Sequence, residues 1–261
     1  MRGAEPIFID KNSNIGVLML HGFSSTPDEF RELSLYLADK GFTVSAPLVA
    51  GHGTLPCDLM KTTSRDWTQS VKNAYLKIKE KSKNIFIIGN SFGSNLALWL
   101  AKEAHNEPVG IITLGAPIFL RSHRFIVCRL YSYGFLKKYY RKPPRLYRTD
   151  FTDMLDEVTY PKIPAKSLRE FLYFIKNETK PNLEKIKVPA LVVHSDSDRV
   201  INPKSATYIY EHLGSPLKRL YWFSSHFHTA TADEHRSELF EKIYNFINEV
   251  IKNNHVNNNH V

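Results

Sequence analysis

The sequence predicts an α/β fold, in which a mostly parallel β-sheet carries helices on both faces and is interrupted by a mainly helical insertion. In the first half of the chain, short apolar runs alternate with longer helix-forming segments, as expected for a parallel sheet. The same alternation resumes near residue 188, and the stretch between lacks it. A length of 261 residues suffices for one such domain with an insertion.

The predicted elements follow one another in a regular order. The helix after the first strand has Thr26 as its N-cap, Pro27 in its first turn and Glu29 three residues after the cap, which predicts a capping box. Gly41 ends that helix, and Ser64 caps the next one after a loop rich in glycine and proline. Strands are expected at residues 15–20, 42–46, 85–88, 109–114, 190–194 and 217–223.

The loss of alternation in the middle of the chain predicts its domain organisation. Residues 117–187 contain helical stretches and turns but no core strand, so we interpret them as an insertion between two parts of the core, residues 1–116 and 188–252. Because ligands bind at the carboxyl ends of strands in such sheets, the insertion is expected to cover the site as a lid. The polar, repetitive tail at residues 253–261 is predicted to be disordered.

The composition is typical of a globular enzyme, with 43% hydrophobic and 23% charged residues. No apolar run approaches the roughly 20 residues of a membrane span, and the first residues lack the apolar core of a signal peptide. The two cysteines, Cys57 and Cys128, have neither metal-binding nor redox spacing. These observations predict a cytoplasmic location.

The net charge of +9 comes from one segment. Residues 118–149 hold nine basic side chains, eight aromatic ones and no acidic one, while acidic and basic residues balance in the rest of the chain. No nucleic-acid-binding motif accompanies this segment, so we do not expect nucleic acid as a partner. We expect transient contact with anionic lipid surfaces, which would make the protein peripheral to the membrane.

Residues 89–93 read Gly-Asn-Ser-Phe-Gly, follow a predicted strand and precede a predicted helix. This is the context of a nucleophile elbow, a sharp turn that exposes a serine hydroxyl at the end of a strand. The two glycines leave room for the strand and the helix to approach each other. The pattern therefore predicts Ser91 as a catalytic nucleophile.

A serine nucleophile needs a histidine base and a carboxylate that orients it, and in this architecture they follow the serine in the order acid, then base. Asp196 and Asp198 come directly after the strand predicted at residues 190–194. His226 and His228 come after the next predicted strand. The spacing alone leaves either aspartate as the acid and either histidine as the base.

An oxyanion hole needs two backbone N–H groups aimed at the oxygen that becomes negatively charged. One is expected from the residue after the nucleophile, which is Phe92. The second is expected from the loop after the first strand, where Gly22 permits a turn and Phe23 follows it.

Four segments together resemble the bacterial monoacylglycerol lipases and the related short-chain carboxylesterases of the α/β-hydrolase fold. They are Leu-His-Gly-Phe-Ser-Ser-Thr-Pro at 20–27, Pro-Leu-Val-Ala-Gly-His-Gly-Thr at 47–54, Asp66-Trp67, and the serine motif. The resemblance covers residues 15–251 and thins over 118–150. It implies hydrolysis of carboxylic esters, above all monoacylglycerols or similar short- or medium-chain lipophilic esters, through an acyl-enzyme and without metal or cofactor. The alternatives are a carboxylesterase or thioesterase of other specificity, or a serine peptidase of the same superfamily.

The resemblance also implies site residues. The last carboxylate of the family's Ser-Asp-x-Asp run matches Asp198, and the histidine of its His-x-x-Thr-x-Asp pattern matches His228. His226 departs from the family, which has a small polar residue at that position. A glutamate that contacts the glycerol hydroxyls in the lipases matches Glu157, shortly before Tyr160. The alternative for Glu157 is a solvated side chain at a helix end.

Overall fold

A computed structural model defines the fold and describes residues 1, 3–121, 130, 138–142, 159–224, 231 and 236–258. The strands in the described part of the chain, in chain order, are β1 (Ile7–Ile9), β2 (Ile15–Leu20), β3 (Thr43–Ala46), β4 (Asn84–Asn90), β5 (Gly110–Leu114), β6 (Tyr139–Arg141), β7 (Lys162–Pro164), β8 (Ala190–Ser195) and β9 (Lys218–Phe223). The α-helices there are α1 (Arg31–Asp39), α2 (Pro56–Lys61), α3 (Ser64–Lys79), α4 (Phe92–Glu103), α5 (Ala165–Phe174), α6 (Lys204–His212) and α7 (Arg236–Asn258).

One sheet of the described chain contains seven strands in the order β1-β3-β2-β4-β5-β8-β9. Only β1 runs antiparallel to its neighbour, so the predicted mostly parallel sheet is confirmed. The strand β1 was not predicted, because three residues are too few to show an alternating pattern. In the centre of the sheet, Leu20 lies opposite Gly89 and Leu114 lies opposite Asn90, so β2, β4 and β5 end at the same edge.

The two faces of the sheet bury separate apolar layers, as the predicted helices on both sides require. Successive side chains of a strand point to opposite faces. Leu18 and Leu20 of β2 therefore join the layer formed with α3, α4, α5 and α6. Val17 and Met19 join the layer formed with α1 and α7. Each fully buried side chain of this size contributes roughly 1.5–3 kcal/mol to folding, so these layers hold the strand ends firmly in place.

The helix boundaries follow the predicted signals in part. Gly41, at a φ of 88°, follows the end of α1 as expected. The N-cap of α3 is Thr63 rather than Ser64, and the Asp66 carboxylate accepts a hydrogen bond from the Thr63 N–H at 2.8 Å. The helix α2 lies within a segment predicted to be loop, where Pro56 occupies the first helical turn.

The described parts of the insertion contain elements that the sequence did not predict. Strands β6 and β7 form an antiparallel pair, in which Tyr139 lies opposite Pro164 and Arg141 opposite Lys162. Each strand is three residues long and therefore shows no strand periodicity in the sequence. The helix α5 follows and packs on the core, and a π-helical turn, Ile175–Thr179, continues it. That the insertion acts as a lid stays a prediction.

The last helix, α7, extends further than expected. Residues 253–258, predicted to be disordered, continue the helix, and residues 259–261 lie outside the described part. The physical reason is that lengthening an existing helix is far easier than starting one, even with asparagine-rich sequence. Among the described residues, no helix has both the length and the apolar character needed to span a membrane.

Candidate active site

Ser91 lies in a strained turn between β4 and α4. Its φ of 49° and ψ of −120° place it in a region that costs a non-glycine residue on the order of 1–3 kcal/mol. A Cβ atom on Gly89 would lie 2.3 Å from the Gly93 carbonyl oxygen, and one on Gly93 would lie 1.8 Å from the Leu20 oxygen. Both glycines of the motif are therefore sterically required. The Ser91 N–H donates to the Leu114 oxygen at 2.7 Å, which ties the turn to β5.

A second serine supports this turn from within the helix. The Ser94 hydroxyl lies 2.7 Å from the Gly89 oxygen, to which it donates, and accepts a hydrogen bond from the Leu114 N–H at 3.1 Å. Ser94 is buried, so these bonds are shielded from water. The sequence did not single out Ser94, because a serine in the first turn of a helix is common for other reasons.

The loop that follows β2, residues 21–25, lies against Ser91; we call it the β2 loop. A Cβ atom on Gly22 would lie 3.4 Å from the Ser91 Cβ. The ring centroids of Phe23 and Phe92 are 5.8 Å apart. Within the part of the chain that the structure describes, the backbone N–H groups of Phe23 and Phe92 have no hydrogen-bond acceptor. Two backbone donors are therefore available next to the serine.

A buried histidine fixes the β2 loop. The Nε2 atom of His21 accepts a hydrogen bond from the Val49 N–H at 3.0 Å, so the proton of the neutral ring lies on Nδ1 and is donated to the Gly22 oxygen at 3.0 Å. Burial lowers the pKa of His21 to about 4, and the hydrogen bond to Gly22 opposes this only in part. At neutral pH the ring is therefore an uncharged brace between two loops.

The capping box predicted at Thr26 is absent, and that prediction is wrong. The Thr26 hydroxyl is buried and has no hydrogen-bond partner among the described residues. The Glu29 carboxylate instead accepts hydrogen bonds from the Gly22 N–H and the Ser25 hydroxyl, both at 2.7 Å. The reason is that the segment begins as a short 3-10 helix, Pro27–Phe30, which directs Glu29 toward the preceding loop.

An aromatic cluster surrounds the side chains of the two phenylalanines. The Phe23 ring contacts the rings of Trp67 and Phe171 at centroid distances of 5.7 and 5.0 Å. The Phe92 ring contacts Phe171 and Phe174 at 5.2 and 5.4 Å. Because Phe171 and Phe174 belong to α5, the returning end of the insertion packs directly on both residues beside Ser91.

The loop that follows β8, residues 196–202, holds the two candidate acids; we call it the β8 loop. Asp198 is fully buried, and its Oδ1 atom accepts hydrogen bonds from the Val200 and Ile201 N–H groups at 2.8 and 3.0 Å. Asp196 is exposed, and its carboxylate accepts a hydrogen bond from Ser197. A buried, oriented carboxylate can fix a histidine tautomer, whereas an exposed one is screened by water. The geometry therefore favours Asp198 over Asp196.

His194 lies beside this carboxylate and was missed by the sequence reasoning. It is buried at the end of β8, and its Nε2 atom lies 3.6 Å from the Asp198 Oδ2. It lies inside a predicted strand, whereas the acid and the base of this architecture are expected in the loops that follow strands. A histidine four residues before a candidate acid is the signal that could have revealed it.

Both ends of the insertion are bonded to these loops. At its start, the Arg121 N–H donates to the Val200 oxygen at 3.1 Å, and its side chain donates to the Asp198 carbonyl oxygen. At its return, the Tyr160 N–H donates to the Ser24 oxygen at 3.0 Å, and its hydroxyl donates to the Gly51 oxygen at 2.8 Å. The insertion therefore contacts the β8 loop through Arg121, near its start, and the β2 loop through Tyr160.

With this geometry in place, comparison with known proteins identifies the family. The profile of the family described as serine aminopeptidase, S33 (Hydrolase_4) matches residues 12–235. The chain belongs to this family.

Two relatives match this chain over nearly their whole length. The chain is 33% identical to the thermostable monoacylglycerol lipase of Bacillus sp. (strain H-257), over 94% of this chain and 95% of the lipase. It is 30% identical to a carboxylesterase of Bacillus subtilis (strain 168), over 92% of this chain and 95% of the esterase. The fold is similar to a solved structure from the metagenome-derived lipolytic enzymes LipS and LipT, with a TM-score of 0.85 and 27% identity, covering 95% of this chain and 99% of that one.

These findings confirm the predicted resemblance and the predicted α/β-hydrolase fold. The structure brings Ser91, Phe23 and Phe92 together and places Asp198 in a second loop at the end of a strand of the same sheet. The remaining predicted site residues, His226, His228 and Glu157, lie outside the described residues. No group of three potential metal ligands occurs among the residues that are described.

Proposed function

We propose that this S33-family chain is a carboxylic ester hydrolase that cleaves monoacylglycerols or similar short- and medium-chain lipophilic esters through an acyl-enzyme. The observation that carries the proposal is the strained Ser91, held beside two backbone N–H groups without acceptors among the described residues. Strain at a non-glycine residue persists where function requires the conformation. The full-length similarity to a monoacylglycerol lipase and a carboxylesterase supports esters as the substrate class.

The proposed reaction follows from the roles of five residues. His228 removes the proton from the Ser91 hydroxyl as its oxygen attacks the ester carbonyl carbon, and Asp198 orients the imidazole. The N–H groups of Phe23 and Phe92 donate to the resulting oxyanion; loss of one such donor typically costs about 10²- to 10³-fold in kcat. The C–O bond then breaks, and His228 returns the proton to the departing alcohol. Water repeats the cycle to release the acid.

The head group is proposed to be glycerol, bound by Glu157. A carboxylate can accept hydrogen bonds from two neighbouring hydroxyls, and its proposed position comes from the resemblance to the lipases. The aromatic rings of Phe23, Phe92 and Phe171 pack together next to Ser91, and this apolar surrounding supports a lipophilic acyl group.

A substrate panel tests both parts of this proposal. The purified chain is given 1-monoacylglycerols, alkyl esters and thioesters of matched acyl length, together with aminopeptidase substrates. We expect hydrolysis of the esters, with monoacylglycerols preferred, and little or none of the peptides. Glu157→Ala should lower kcat/KM for monoacylglycerols about tenfold while sparing the alkyl esters. Faster cleavage of thioesters or peptides would replace the proposed specificity, and equal losses on both ester classes would remove the role of Glu157.

We also propose that the protein is cytoplasmic and contacts anionic lipid surfaces through its basic segment. In the described part of the chain, Lys138, Arg141 and Lys162 lie on or beside the β6–β7 pair without an acidic partner. The Lys162 ammonium lies 4.7 Å from the centre of the Tyr139 ring. Basic residues at an anionic lipid surface contribute about 1 kcal/mol each, and salt screens this attraction.

Liposome flotation tests this contact. The protein should float with anionic vesicles at low salt, detach as salt rises and ignore neutral vesicles. Lys138→Glu with Arg141→Glu should reduce flotation at least fivefold, whereas Lys83→Glu with Lys204→Glu, an equal charge change at exposed sites elsewhere, should not. Equal flotation of the two double variants would refute this surface as the contact.

A further inference from the structure

The Glu29 side chain lies closer to the nucleophile than its position in the sequence indicates. It is only 3% exposed, and its Oε1 and Oε2 atoms accept hydrogen bonds from the Gly22 N–H and the Ser25 hydroxyl. A Cβ atom on Gly22 would lie 3.7 Å from Oε2 and 3.4 Å from the Ser91 Cβ. Gly22 therefore lies between the Glu29 carboxylate and Ser91 and is in contact with both.

These contacts act on the most flexible residue of the β2 loop. Gly22 lacks a Cβ atom, so its φ and ψ are restricted less than those of other residues. Glu29 holds the peptide plane on the amino side of Gly22 through its N–H group. The plane on the carboxyl side is held through the Gly22 oxygen, which accepts hydrogen bonds from the His21 ring and the Ser25 N–H.

Fixing both planes also fixes the direction of the next N–H group. In a trans peptide the carbonyl oxygen and the following N–H lie in one plane and point in opposite directions. The Gly22 oxygen points toward His21, so the Phe23 N–H points away from it. Glu29 holds the peptide group that precedes Gly22. Little freedom therefore remains to rotate the Phe23 N–H away from this direction.

Helix capping does not account for this carboxylate. The Thr26 hydroxyl that a capping box would use has no partner among the described residues, and Glu29 bonds to the preceding loop instead. Burying a carboxylate is unfavourable unless its hydrogen bonds compensate, and for Glu29 these bonds come from the preceding loop.

We propose that Glu29 is a positioning residue for the oxyanion hole, holding Gly22 so that the Phe23 N–H faces the acyl oxygen at Ser91. This inference rests on the proposed function. It assigns to Glu29 a role in kcat rather than in substrate binding, because the Phe23 N–H matters most when the oxygen becomes negatively charged.

Two substitutions separate position from charge. Glu29→Gln keeps an oxygen that can accept from the Gly22 N–H and an amide that can donate to the Ser25 hydroxyl. Glu29→Ala removes both contacts. We expect Glu29→Ala to lower kcat on a soluble p-nitrophenyl ester about 10- to 100-fold with KM changed less than threefold, since misplacing a donor by about 1 Å has effects of this size. Glu29→Gln should restore kcat to within about threefold of the wild type.

The matched control is Asp28→Ala. Asp28 is a neighbouring buried carboxylate whose Oδ1 lies 2.5 Å from the Arg31 Nε. The Asp28→Ala variant should have a lower melting temperature, as Glu29→Ala should, but an unchanged kcat. Should Glu29→Ala not fold, Glu29→Asp, shorter by one methylene, takes its place with an expected kcat loss of at least fivefold.

A boronic acid that forms a tetrahedral anion on Ser91 supplies an independent readout. Its affinity for Glu29→Ala should fall in proportion to kcat. An unchanged kcat in the folded Glu29→Ala or Glu29→Asp variant would overturn the inference, as would a loss confined to KM. Failure of the proposed function is distinguishable, because the wild type would then hydrolyse no ester at all.

Discussion

The β2 loop and the β8 loop both follow parallel strands of one sheet, but they are held in different ways. In the β8 loop, Asp198 is fixed by the N–H groups of residues two and three positions further on. In the β2 loop, Gly22 is held by the Glu29 side chain, and Ser24 is held by the backbone N–H of Tyr160, which lies in the insertion. The Asp198 carboxylate is therefore oriented by backbone groups of its own loop, whereas the Gly22 N–H is oriented by a side chain from another element.

This difference indicates how the two loops should respond to mutation. The orientation of the Asp198 carboxylate should depend mainly on its own loop, whereas the orientation of the Gly22 N–H should depend on Glu29. The insertion bridges the two, since Arg121 bonds to the β8 loop and Tyr160 to the β2 loop. Movement of the insertion would therefore act on both loops, through Arg121 at Asp198 and through Tyr160 at Ser24.

The largest effect is expected at the base, which must connect the two loops. His228→Ala should lower kcat by roughly 10⁴- to 10⁶-fold, because Ser91 then has no group to accept its proton. His226→Ala should keep activity within about tenfold of the wild type. Steady-state kinetics on a soluble ester distinguishes them, and the reverse pattern would place the base two residues earlier.

The next prediction separates two roles of the Asp198 carboxylate, its hydrogen bonds within the β8 loop and its negative charge. Asp198→Asn keeps an oxygen for the Val200 and Ile201 N–H groups, so the melting temperature should change little. The orienting charge is lost, and kcat should fall by about 10³- to 10⁴-fold. Asp196→Asn is the control and should be nearly neutral, because that side chain is exposed. A comparable loss in both variants would contradict the assignment of Asp198 as the acid.

A further prediction concerns the stability of the protein at low pH, which depends on the buried histidines His21 and His52. Burial lowers the pKa of His21 to about 4 and, together with the nearby His21, that of His52 to about 3, while the unfolded chain protonates both near 6.5. The unfolded state therefore binds more protons as pH falls from 6.5 to 4. The free energy of unfolding is highest above pH 6.5 and should fall by on the order of 5 kcal/mol over this range, about half of it from each ring.

Urea unfolding at several pH values measures this dependence. His52→Phe preserves an aromatic ring to stack on Tyr160 and should flatten the slope between pH 6.5 and 4. Removal of the exposed His105, as His105→Gln, should leave the slope unchanged. A wild-type stability that is constant over this range would show that the buried rings do not resist protonation.

Features determined by short-range geometry were predictable from the sequence. The serine motif was recognisable because any such turn requires glycine at these two positions. A Cβ atom on Gly89 or Gly93 would clash with the backbone. The positions of the longer strands along the chain followed from apolar runs of four to seven residues. The β8 loop was recognisable because its carboxylates follow such a run. Each of these signals lies within a few consecutive residues.

Features that depend on long-range contacts were not predictable. The strands β1, β6 and β7 are three residues long and are specified by their partners rather than by their own pattern. Glu29 matched a helix-capping pattern, yet the folded chain offers its carboxylate better donors in the preceding loop. The contacts of Tyr160 with Ser24 and Gly51 carry no local signal, because they arise only when the insertion meets the core loops.

The central claim is that Ser91 is an activated nucleophile, and covalent labelling tests it most directly. The purified wild-type chain is treated with an alkyl fluorophosphonate, and the product is examined by intact-mass and peptide mass spectrometry. One phosphonyl group per chain on Ser91, with none on Ser91→Ala, is the result expected from the strained turn beside the Phe23 and Phe92 N–H groups. An adduct on another residue, or ester hydrolysis by a wild-type chain that forms no adduct, would contradict the claim.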